Sequence, residues 1–186
     1  LPGLYWDRLN DRLKPAKINL DESANTKRKI LSTVNAVYDI YNRYAPVRIR
    51  ARIFLQELQT DKDLGWDTSL SPQRSREWSK IGKQVNGMEV PELERSVGDR
   101  KSAYKLVAFS DASQLVFGCV IYIVEISSNK CSFLCARSRL VNRVSEKRTI
   151  PVLELQAAVF GVETLVQLYK DLCDKSIQIQ LRRTIP

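Results

Sequence analysis

Apolar positions change their period about half-way along the chain. From Thr26 to about Gln84 they recur at helical spacing. Ile30, Val34, Val37 and Tyr41, flanked by Leu31 and Tyr38, form one stripe, with Lys29, Ser32, Asp39 and Arg43 opposite. Pro46 suits the first turn of a second helix, whose stripe is Val47, Ala51, Phe54, Leu55 and Leu58. Ser71-Pro72 opens a third by the same cap-and-proline signal, with Trp78, Ile81 and Val85 inward. Leu64-Gly65-Trp66-Asp67 between them reads as an ordered turn. The expectation is a small helical bundle over residues 1–85 and a linker over 86–103, where Gly87, Pro91 and Gly98 interrupt mixed charges.

From Tyr104 the pattern is strand-like. Lys105 to Asp111, Val116 to Glu125 and Cys131 to Ser138 predict three strands of an antiparallel meander, the last two joined by a tight turn at Ser127-Ser128-Asn129-Lys130. A helix from about Pro151 to Asp171 follows, its inward stripe read as Leu155, Ala158, Val159, Val162, Leu165, Val166 and Tyr169. Ser176 to Leu181 predicts a fourth strand. The fold class is therefore α+β: a mainly helical block, then an α/β domain over residues 104–186.

Composition narrows the function. Hydrophobic residues at 44% and charged residues at 27% describe a globular chain, not a disordered one. No apolar run approaches the roughly 18 residues of a membrane span, and the first residues lack the basic-then-apolar order of a signal peptide. An intracellular protein, in a cytoplasmic particle or the nucleus, without a membrane partner is expected. Without a Met at position 1, the chain reads as cut from something longer. A net charge of +9 favours a polyanionic partner, with a merely basic surface as the plain alternative. The absence of His excludes Ser-His-Asp and Cys-His sites, and the four Cys lack zinc-ribbon spacing, so buried free thiols are expected.

Two acids stand out in the second block. Asp111 ends the first strand within Phe109-Ser110-Asp111-Ala112-Ser113, and Glu154 falls in the first turn of the helix, on the flank shared with Ala158 and Gly161. Meeting at one sheet edge, they would offer hard oxygen ligands suited to Mg²⁺. Singly, each has an ordinary structural explanation, as a turn residue or a helix-dipole partner. In the first block Lys27, Arg28 and Lys29 start one helix, while Arg48 and Arg52 lie four residues apart on the next and could follow phosphates together. A solvated basic face is the alternative.

These residues resemble the Pao (BEL/Pao) retrotransposon polyprotein, in the segment joining reverse transcriptase to RNase H. The matching motifs include Leu4-Tyr5-Trp6-Asp7, Thr26-Lys27-Arg28-Lys29-Ile30-Leu31-Ser32, Ala45-Pro46-Val47, Ala51-Arg52-Ile53-Phe54-Leu55-Gln56-Glu57-Leu58 and Leu64-Gly65-Trp66-Asp67. Phe109-Ser110-Asp111-Ala112-Ser113, Ala136-Arg137-Ser138-Arg139-Leu140-Val141 and Thr149-Ile150-Pro151-Val152-Leu153-Glu154-Leu155-Gln156-Ala157-Ala158 continue the series. The resemblance implies a reverse transcriptase thumb and connection over residues 1–85, then the start of an RNase H-like domain. It implies that Asp111 and Glu154 are the first two metal-binding acids, with Mg²⁺ as the cofactor of the intact domain and none held tightly here. The third acid is expected after the fourth strand, where Arg182 and Arg183 stand instead. Two readings stay open: an enzyme segment of a pol polyprotein, inactive alone and partnered by nucleic acid and the rest of the polyprotein, or a non-catalytic relic that binds nucleic acid. The family also carries an aspartic peptidase label, for which Asp111-Ala112-Ser113 lacks the glycine of the usual Asp-Thr/Ser-Gly turn.

Overall fold

A computed structural model describes residues 3–99, 101–142, 148–175 and 177–179. The chain divides into two compact units, Leu1–Leu93 and Glu94–Pro186. Among the described residues, four helices and two three-stranded sheets make the fold α+β, as the residue pattern predicts.

In the first unit, strands β1 (Leu4–Asp7) and β2 (Arg12–Pro15) form an antiparallel hairpin. Helices α1 (Lys27–Asn35), α2 (Ala45–Thr60) and α3 (Pro72–Asn86) follow, and β3 (Leu93–Glu94) joins the hairpin sheet beside β2. The helix starts are those the sequence signals. The Thr26 side chain accepts from Lys29 N, and the Ser71 side chain from Arg74 N, while Pro46 and Pro72 occupy first-turn positions that need no amide hydrogen. Trp78, Phe54, Ile30, Val34, Leu58 and Val85 close one core with Leu20. The Trp78 indole N–H is satisfied by the Asp21 carbonyl at 2.9 Å.

One expected helix is shorter than its stripe. α1 ends at Asn35, so Val37, Tyr38 and Tyr41 lie beyond it. The Asp39 carboxylate accepts the backbone N–H of Arg43 and Tyr44, and Asn42 sits at φ 55°, a left-handed conformation that Asn tolerates. These local bonds outcompete helix continuation, while Val37 still packs on the core. β2, which no sequence signal marked, takes its antiparallel partner in β1 through a turn with Asp11 at φ 49°.

The second unit is a meander covered on one face. β4 (Tyr104–Ala112), β5 (Val116–Glu125) and β6 (Cys131–Leu140) pair antiparallel in that order, with an irregularity between Ile121 and Tyr122. Helix α4 (Ile150–Cys173) lies on β4 and β5. Of the expected fourth strand, Ser176, Gln180 and Leu181 lie outside the described residues. Its middle does run parallel to β4, through a bridge between Tyr104 and Ile179 and a 2.9 Å bond from Tyr104 N to Gln178 O. All four cysteines are free. Cys119 is buried as expected, but Cys131 and Cys173 are exposed.

Side chains on a strand alternate between faces, and the core shows which face α4 covers. Cys119, Ile121 and Ile123 are buried beneath it, and Phe117 meets Phe160 edge-on at 5.5 Å. The other face carries the ring series Phe109, Tyr122 and Phe133, in successive edge contacts of 6.1 and 6.0 Å.

Candidate functional site

The helix face is the main correction to the sequence reading. α4 buries Leu153, Ala157, Phe160, Gly161 and Thr164, whereas Leu155, Ala158, Val159, Val162 and Val166 are exposed. Leu165 and Tyr169 are only half-buried. Both sides of the helix are apolar, so periodicity alone could not choose between them. Shape decides. A Cβ on Gly161 would lie 3.4 Å from Ser110 Cβ and 3.6 Å from Cys119 Cβ, ordinary van der Waals contact, so this side of the helix packs directly on β4 and β5. The Thr164 hydroxyl, though buried, donates to Phe160 O at 2.9 Å. α4 is also, by length and composition, able to cross a membrane, contrary to the expectation that no segment would be. A core helix meets the same measure, and one side of α4 does pack on the sheet.

Asp111 and Glu154 come to the same end of the second unit. Ser110, next to Asp111, touches Gly161, and Glu154 lies two turns before Gly161 on the same flank. At 1.5 Å per residue, Glu154 stands about 10 Å beyond that contact along the helix, while Asp111 is one strand residue, about 3 Å, beyond it. Alternation turns Asp111 with Phe109 to the face opposite α4, where its register partner is Gly118. Asp111 is exposed and accepts the N–H of Ala112 at 2.8 Å. Glu154 is exposed as well, and it lies just past the first turn rather than in it, which weakens its interaction with the helix dipole. Among the described residues no three His, Cys, Asp or Glu side chains come together to hold a metal. Asp111 and Glu154 supply the oxygen chemistry Mg²⁺ prefers, but the described residues do not by themselves form its site.

The five basic candidates separate sharply. Lys27 is buried, with Nζ donating to the Asp61 carbonyl at 2.8 Å, so it ties α1 to the end of α2 and is not free for a phosphate. Arg28 forks onto Asp67 through Nε at 2.7 Å and a terminal nitrogen at 2.9 Å. That pairing depresses the Asp67 carboxyl and raises the guanidinium. Lys29 is exposed. Arg48 and Arg52 are half-buried on the same flank of α2. Burial, and then the charge of Arg48, push the Arg52 guanidinium down from its ordinary value. Arg48 Nε is shielded from solvent without a hydrogen-bond partner.

A cleft of about 490 Å³ that the sequence did not signal lies between α4 and the end of β6. Its wall includes Phe117, Arg139, Arg148, Gln156, Phe160 and Glu163, and the Arg139 guanidinium stands 5.0 Å over the Phe160 ring. The charged residues of this wall come from distant positions, so only folding brings them together.

The family model for the Pao retrotransposon-like RNaseH-like domain matches residues 26–182. The chain belongs to this family. No curated protein matches it. The Pao match spans both units, so the helical block falls largely within the family's own boundaries. The antiparallel β4-β5-β6 meander followed by α4 and a parallel bridge is consistent with the RNase H-like description, and the chain represents a retrotransposon polyprotein region.

Proposed function

We propose that this chain serves within a retrotransposon pol polyprotein as the junction of reverse transcriptase and RNase H, and that it cleaves no RNA on its own. The first unit acts as thumb and connection, holding template and primer. The second contributes Asp111 and Glu154 as two of the acids that position Mg²⁺ for cleavage of RNA in RNA-DNA hybrids, once further acids complete the set. The observation that supports this reading is the family match over residues 26–182 together with the order of a three-stranded meander, which carries Asp111 near the end of β4, followed by α4, which carries Glu154 near its start. The reading places the protein inside the cell, in a cytoplasmic particle or the nucleus. No peptidase role is included.

A second reading, a non-catalytic nucleic-acid-binding relic, is favoured by Arg48 and Arg52. Two cations held together partly out of water are stabilised by an anion between them. Hybrid cleavage in Mg²⁺ and hybrid binding across a salt series test both readings. No cleavage is expected, and robust cleavage abolished by Asp111→Asn would overturn the claim of inactivity. Arg48→Ala and Arg52→Ala are each expected to weaken binding and flatten the salt slope by about one. Lys27→Ala is expected to lower stability instead, because its amine serves the fold. Binding indifferent to both arginine changes would remove the grip assigned to the first unit.

A further inference from the structure

Residues 86–103 read as a linker in the sequence, yet each unit grips its own half of this connection. In the first unit, Gly87 N and Met88 N close the end of α3 on Lys83 O and Val85 O at 3.0 and 3.2 Å. Val90 packs on the helical core. Arg43, between α1 and α2, donates from a terminal guanidinium nitrogen to Pro91 O. Glu92 pairs with Lys14 of β2 at 3.1 Å, and the same amine reaches Asp7 of β1 at 3.3 Å. Leu93 lines a small cavity with Leu4, Pro15, Tyr38 and Tyr44, and β3 completes the hairpin sheet.

The second unit holds its half as closely. Glu94 pairs with Lys130, in the turn before β6, at 2.6 Å. Asp99 O accepts the hydroxyl of the buried Tyr104 at 2.7 Å and Ser102 N at 3.1 Å, and the Asp99 carboxylate accepts Lys101 N at 3.1 Å. Gly98 sits at φ 140°, where a Cβ would collide with the Tyr104 hydroxyl, so only glycine fits. Residues 95–98 alone separate the Glu94 and Asp99 anchors, a span of at most about 14 Å. All these bonds are made inside one unit or the other, so they stand whatever else a longer chain adds.

A peptidase takes its substrate as an extended strand, with several residues on each side of the cut bound in its cleft. Any one exposed ion pair contributes little, but opening that much of this segment releases several anchors at once. We propose that residues 87–99 form a strap that withholds the junction from processing, so that the two units leave the polyprotein as one chain. The proposal rests on the reading of this chain as a pol junction and adds how that junction fares when the polyprotein is cut.

Thermolysin, which cuts before bulky apolar residues, tests this on the folded full chain, because Met88, Val90, Leu93 and Val97 offer it sites along the strap. No fragment ending in the strap is expected to accumulate while the circular dichroism spectrum stays native. Lys14→Met with Arg43→Met frees Glu92 and Pro91, and should speed cutting at Val90 and Leu93 on the order of tenfold. Lys130→Gln, at an exposed position, should speed cutting at Val97 about threefold. If the double variant loses helical signal, Lys130→Gln carries the test alone. Early cutting of the unaltered chain within residues 87–99, into two folded pieces, overturns the proposal. Cutting rates unchanged in the folded variants overturn the assignment of the strap to these bonds. Neither readout involves nucleic acid or Mg²⁺, so a failure here leaves the pol-junction reading standing, and a failure of hybrid binding leaves the strap standing.

Discussion

The two units hide their apolar residues in different ways. The first surrounds Trp78 and Phe54 with three helices and the 18–24 segment, and its stripes point inward from several directions. The second sets a single helix on a single sheet. It leaves the outer stripe of α4 and Phe109, on the opposite sheet face, in contact with solvent. A bundle closes on itself because each helix covers its neighbours. One helix on one sheet makes a two-layer core with bare outer surfaces. The comparison separates residues that hold the fold from residues available to partners. Most apolar positions on the first unit's helices belong to the former group, its exposed ones such as Tyr5, Trp6 and Leu9 lying in the hairpin or in loops, while the helix of the second unit has both.

The largest effect is expected where the first unit is most closed. Trp78 is fully buried, meets the Phe54 ring in a tilted contact at 5.7 Å and donates to Asp21 O. Trp78→Ala should cost about 3–5 kcal/mol in urea unfolding followed by circular dichroism, with the helical signal lost before the sheet signal. A loss near zero would mean that this core is not closed around the indole. The next test bears on the second unit. Leu153 is 1% exposed and Leu155 is 66% exposed, two residues along the same helix. Leu153→Ala should destabilise by about 2–5 kcal/mol and Leu155→Ala by less than about 0.5 kcal/mol. The reverse order would restore the helix face read from periodicity and undo the contrast between the units.

The smallest effect concerns the hairpin of the first unit, which stands outside the helical core. Asp7 is held down from the ordinary 3.8 to about 2, first by the Asn10 side chain and also by Lys14. A carboxyl depressed by folding stabilises the fold above its unfolded value and loses that contribution as pH falls through the folded one. The hairpin should therefore loosen between about pH 4 and pH 2, while the helices keep their signal. An NMR titration of Asp7 reads this directly. Asn10→Ala should move its midpoint up, and a midpoint that does not move would show that the hairpin does not depend on this bond.

Much of the candidate site could be read locally. Ser71-Pro72 and Thr26 mark helix starts through bonds within three residues, and Asp111 ends its strand at a position the residue pattern gives. Lys27 could not be read in this way. Its neighbours Arg28 and Lys29 share its charge, yet Lys27 alone meets a carbonyl 34 residues away in sequence. Arg28 is likewise claimed by Asp67, which no nearby residue would suggest.

The sequence by itself determined the order of elements, the change from helical to strand period, the basic charge and the Pao lineage, because each is set by nearest neighbours or by composition. Only the tertiary structure decided which side of α4 faces the sheet. Both sides are apolar, and the choice rests on Gly161 fitting against Ser110 and Phe160 against Phe117, contacts made between residues more than forty positions apart. That choice left exposed a stripe read as core, and it left Glu154 exposed on the helix while Asp111 turns to the other face of the sheet.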